Sequence, residues 1–95
     1  MEKLDYTFSK SALNNLIEIT NYYESNQVGL GYRLVKSLEN HLATLQVNPK
    51  IGRYGKVHNT REFVLHDFPF ILIYRVQGKV LQIIQILHQS MKYPT

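Results

Sequence analysis

A chain of 95 residues, 44% of them hydrophobic, holds a single domain spanning residues 1–95, with a core of modest size. It has no cysteine, which excludes a disulfide framework, a cysteine-held zinc and a thiol nucleophile. Lysine and arginine outnumber aspartate and glutamate by 11 to 7, and the resulting net charge of +4 favours an acidic partner, either nucleic acid or an acidic protein segment.

The opening Met1-Glu2-Lys3-Leu4-Asp5-Tyr6 lacks the apolar run of an export signal, and no stretch approaches the roughly 18 apolar residues that span a bilayer. The chain is therefore expected in the cytoplasm, with no membrane partner. Leu4, Tyr6 and Phe8 alternate with Asp5 and Thr7, the period of a half-buried first strand. Ser9 then stands at the N-cap of a helix over residues 10–25, whose apolar positions are Leu13, Leu16, Ile17 and Tyr23. Ser25-Asn26-Gln27 and Gly29 end it. Leu30, Leu34, Leu38, Leu42 and Leu45 follow at steps of four, four, four and three, one continuous stripe of a second helix facing the core. Only a few residues join the two helices, so they form an antiparallel hairpin.

Pro49 stops the second helix, and residues 50–59 read as an irregular basic loop containing Gly52 and Gly55. Residues 61–65, 70–76 and 80–87, rich in Ile, Val, Phe and Tyr, read as three strands with turns at Pro69 and Gly78. The last two are apolar on both faces and so belong at the centre of the sheet. The order β-α-α-β-β-β defines an α+β domain, a helical hairpin packed on a small, mainly antiparallel four-stranded sheet.

Lys50, Arg53, Lys56 and His58 give the loop a one-sided charge suited to phosphates or to an acidic protein segment. Arg61 opens a strand, and Arg75 lies within one, where its guanidinium needs an acceptor; Glu62 and Asp67 are the local carboxylates for a structural ion pair. His88 and Tyr93 offer a base and a phenolic acid near the chain end. Phosphodiester cleavage also needs a group that neutralises the developing charge, a role open to Arg61 or Arg75. His41 and His66 read as surface or helix-edge residues. Neither forms an H-x-x-x-H pair, so no metal site is expected, and no cofactor motif occurs.

Taken in order, Pro49-Lys50-Ile51-Gly52-Arg53, Thr60-Arg61-Glu62-Phe63-Val64, Ile73-Tyr74-Arg75-Val76 and Ile86-Leu87-His88-Gln89-Ser90-Met91 resemble the signature of the RelE/ParE toxin superfamily across the whole chain. The resemblance implies a compact bacterial toxin neutralised by a co-encoded antitoxin. Ribosome-dependent ribonucleases resembling RelE carry lysines on the second strand, an arginine early in the third, and another after the fourth. Here Glu62 and Val64, Ile71 and Ser90 fall at those places, and none of them neutralises a pentavalent phosphorane. The ending Leu87-His88-Gln89-Ser90-Met91 is similar to the ParE branch, which implies poisoning of DNA gyrase without nuclease activity. The target contacts then expected are Lys50, Arg53, Lys56, Arg61, His88, Met91 and Tyr93. The rival readings are an mRNA endonuclease acting on the ribosome through His88, Tyr93, Arg61 and Arg75, and a non-toxic relic that still binds an antitoxin.

Overall fold

In the computed structural model, which describes residues 3–90, the chain runs β1 (Asp5–Phe8), α1 (Lys10–Asn26), α2 (Leu30–Val47), β2 (Arg53–Tyr54), β3 (Arg61–Val64), β4 (Phe70–Gln77) and β5 (Val80–His88). Ser9 has extended backbone, and its Oγ accepts the Ala12 amide at 3.0 Å while donating to the Ile84 carbonyl at 2.6 Å. One hydroxyl thus caps α1 and ties its start to β5. Gly29, at φ 89°, lets the chain reverse into α2, a conformation that favours glycine. It offers no side-chain cap, and the Glu24 carboxylate supplies one instead, accepting the Gly29 and Gly31 amides at 3.0 Å each.

The leucine stripe of α2 packs as expected, with Leu34, Leu38, Leu42 and Leu45 all buried. The inner face of α1 differs from the expected one. Ala12 is fully buried and Leu16, Ile19 and Tyr23 pack on the core, whereas Leu13 and Ile17 remain 47% and 50% exposed. The apolar arc of α1 is wider than its contact with the sheet. Fully buried Ala12 lies on the inward face, which leaves Leu13 and Ile17 on the flank.

The sheet has five strands in the order β1-β5-β4-β3-β2, with β1 parallel to β5 and every other pair antiparallel. Two expectations need correction. A two-residue strand, β2, forms inside the basic loop by pairing Arg53 with Glu62 and Tyr54 with Arg61, which raises the strand count from four to five. The first strand is mostly exposed rather than half-buried, because it lies at an edge and pairs only with β5. Leu4 precedes it and is tied to the end of α2, donating to the Gln46 carbonyl at 3.0 Å and accepting Gln46 Nε2 at 2.7 Å.

β4 and β5 are central, as expected. Their register slips at Ile73/Tyr74, so Ile73 faces Gln85 and Tyr74 faces Ile83. Phe70, Leu72, Tyr74, Leu81, Ile83 and Ile86 join the helices in the core. By alternation, Arg75, Gln82 and Gln85 fall on the face the hairpin leaves open. No helix among the described residues is long and apolar enough to cross a membrane.

Candidate functional site

The basic loop is irregular in sequence yet pinned at many points. Tyr74, fully buried on β4, donates its hydroxyl to the Pro49 carbonyl at 2.6 Å and accepts the Gly52 amide at 3.0 Å. Gly52 lies so close to this phenol that a Cβ would collide with the Tyr74 hydroxyl and ring, so glycine is required there. Burial raises the Tyr74 pKa above the ordinary phenol value, outweighing the opposing pull of the Gly52 amide and of Arg61. Arg61 donates to the Lys50 and Gly52 carbonyls at 3.2 and 2.8 Å, and its guanidinium stacks 4.5 Å from the Tyr54 ring centroid. Gly55 and Thr60 close the loop through a 2.8 Å backbone bond, and the Thr60 hydroxyl donates to the Val57 carbonyl.

This anchoring brings several of the sequence-expected residues together. Lys50, His58, Arg61 and Arg75 line one cleft of about 440 Å³ with Tyr54 and Val76. A second groove shares Val57, His58, Thr60 and Arg75 with it and continues over Thr7, Gln82 and Gln85 on the open sheet face. Arg53 and Lys56 lie outside both linings. Arg53 is largely exposed and holds the buried Glu62 through a 2.8 Å ion pair. That pair corrects the role expected of Arg75. Glu62 stands opposite Ile73, not Arg75, and is taken by Arg53, so Arg75 donates instead to Gln82 Oε1 at 2.7 Å.

His88 does not join this group. It pairs with Phe70 at the far end of β4, its ring edge-on to Phe70 at 5.4 Å, and it borders a groove with Glu18, Tyr22 and Tyr23 of α1. Ser90 contacts its Nδ1 through both Oγ, at 2.7 Å, and the backbone amide, at 3.1 Å. Arg61 pairs with Tyr74, four residues along β4 from Phe70, which puts about 13 Å of strand between the two ends. Met91 and Tyr93 lie outside the described residues.

A second constellation emerges where the sequence offered plain surface histidines. His66 is exposed, but His41 is 94% buried in α2, where its Nδ1 lies 2.7 Å from the Ser37 carbonyl. A one-sided pattern of α2 leucines hid this, because His41 precedes Leu42 and shares its burial. His41 also lies beside the β3–β4 loop, with its Nε2 3.9 Å from Asp67 Oδ1 and its ring 4.7 Å from that of His66. Desolvation raises the Asp67 carboxyl, but the Ser37 hydroxyl, its own backbone amide and the two histidines outweigh it, so its pKa is lowered overall.

Chains of this size that lay a helical hairpin over one face of such a sheet include the small toxins of type II toxin–antitoxin systems, and comparison with known proteins puts this chain in that class. It belongs to the ParE toxin family: the family described as the ParE toxin of the type II toxin–antitoxin system parDE matches residues 6–93. A toxin candidate of Sinorhizobium fredii, Y4kP, is 34% identical over 83 residues, covering 87% of this chain and 85% of its own. Among solved structures, the chromosomal ParDE toxin–antitoxin system from P. aeruginosa contains a chain similar at a TM-score of 0.76 and 26% identity, over 90% of this chain and 96% of that one. The RelE/ParE-like fold and the ParE-like identity expected from the sequence both hold. The protein is a type II toxin, whose system supplies an antitoxin partner.

Proposed function

We propose that this toxin acts in the cytoplasm by binding DNA gyrase through its basic loop and the adjoining open sheet face, and that it does so without cleaving RNA. The observation that carries this reading is the separation of His88 from the arginines. Arg61, tied to the Lys50 and Gly52 carbonyls, and Arg75 line the clefts beside the basic loop, whereas His88 lines a separate groove against α1 about 13 Å of strand away, so base and neutralising cation do not meet in one cleft. Glu62, Val64 and Ile71, which stand where RelE-like nucleases carry cations, add no positive charge, and Glu62 is occupied by Arg53. Lys50, Arg61, Arg75 and His58 instead form a binding surface, suited to an enzyme whose substrate is a polyanion.

The antitoxin covers the flank of α1, where Leu13 and Ile17 present half-exposed apolar groups one turn apart, and an acidic part of it meets the basic rim. The test uses purified toxin on gyrase supercoiling and on programmed ribosomes in parallel. Inhibition of supercoiling with intact mRNA is the expected result. Codon-dependent mRNA cuts lost in His88→Ala, with supercoiling unaffected, would replace this reading with the nuclease.

A further inference from the structure

We propose that His41, His66 and Asp67 form a binding site for a divalent transition-metal ion of the zinc class, bridging α2 and the loop between β3 and β4. One ligand atom from each lies within 4.8 Å of the other two. His41 lies 25 and 26 positions before the adjacent His66 and Asp67, across the helix–loop junction, which is why no local spacing motif announces the three. Two imidazoles and one carboxylate suit zinc and its neighbours in the first transition row; magnesium and calcium prefer oxygen donors.

The surrounding bonds set the donors as a metal requires. The Ser37 carbonyl can only accept, so His41 donates to it from Nδ1, and the neutral imidazole, the form that binds metal, then presents Nε2 as a lone pair. That Nε2 is sealed from solvent and has no hydrogen-bond partner among the described residues. Its 3.9 Å distance to Asp67 Oδ1 is too long for a hydrogen bond. The Ser37 hydroxyl donates to Asp67 Oδ2 at 2.6 Å, which orients the carboxylate and leaves Oδ1 on the side of His41. One serine therefore fixes two of the three ligands, the outer-shell support usual around metal-bound histidine and carboxylate.

In a tetrahedral zinc site with bonds of about 2.0–2.1 Å, ligand atoms stand roughly 3.4 Å apart, so the cluster needs to contract by up to about 1.4 Å. His66 and Asp67 are exposed on a loop and can supply that movement, while buried His41 stays in place. Three protein ligands leave a fourth position for water or for a donor from a bound partner. The ion would fasten the loop that carries the chain from β3 to β4 onto α2.

The test is calorimetric titration of Zn2+ into the full chain, free of any affinity tag and stripped with a chelator. A single site of micromolar affinity or tighter is expected, with zinc raising the Tm. His66→Ala and Asp67→Asn, both at exposed positions, should each weaken binding by at least about tenfold and abolish the rise in Tm, whereas His58→Ala should change neither. Nitrogen-detected NMR should show His41 protonated at Nδ1 without metal and a zinc-dependent shift of Nε2. Absence of micromolar binding, or binding that survives both loop substitutions, overturns the site.

Discussion

Replacing Tyr74 by phenylalanine isolates the bond pair that holds the basic loop. The ring stays, so the core keeps its volume, and only a fully buried hydroxyl is removed. That hydroxyl makes a 2.6 Å bond to Pro49 and receives a 3.0 Å bond from the buried Gly52 amide. A net hydrogen bond is worth about 0.5–1.5 kcal/mol, and a buried donor left without an acceptor costs about 1–3 kcal/mol. Losing the Gly52 bond and orphaning its amide are one event, so the terms overlap and the total is about 2–4 kcal/mol. In a domain of this size each kcal/mol moves the Tm by about 4–8 °C, so Tyr74→Phe should melt about 10 °C lower or more. Urea denaturation should show a lower midpoint with an unchanged slope. A loss under about 0.5 kcal/mol would refute the claim that this phenol pins the loop.

Further outcomes follow from the same contacts. Leu38→Ala should cost about 2–5 kcal/mol in denaturant unfolding, since Leu38 is buried in the central stripe. Arg53→Ala should cost about 1–3 kcal/mol because it strands the buried Glu62 carboxylate, and Arg53→Ala combined with Glu62→Gln should recover part of that loss. The raised pKa of Tyr74 means that the folded state holds its proton more tightly than the unfolded state. Its contribution is complete below the ordinary phenol value near 10 and falls as pH rises from there through the folded pKa, so Tyr74→Phe should flatten the alkaline loss of stability.

The leucine stripe of α2 and the three later strands were legible because their periodicity is set by burial on one face or both. The inner face of α1 was not, because Ala12 carries little hydrophobic signal and yet is fully buried, while Leu13 and Ile17 carry much and stay half-exposed. β2 was hidden for a different reason. Arg53 and Tyr54 have no strand pattern of their own and become extended by pairing with Glu62 and Arg61. Of the candidate site, Lys50 and Arg61 were readable as charges, and their convergence with Arg75 came only with the register of β3 and β4. In sequence Tyr74 is one more aromatic strand residue. Its role depends on Gly52, 22 residues away. The burial of His41 is invisible in sequence, because a histidine beside a leucine stripe looks the same whether its ring meets water or His66.

The central claim is that the basic rim engages gyrase, and the most direct measurement is supercoiling inhibition by a Lys50→Glu/Lys56→Glu variant. Both lysines are exposed, so the double substitution should leave folding stability within about 1 kcal/mol of the parent. The account predicts that this variant keeps its Tm within a few degrees and needs at least about ten times more protein to inhibit gyrase, a loss that deepens as salt is lowered. Unchanged inhibition by a stably folded variant would contradict it.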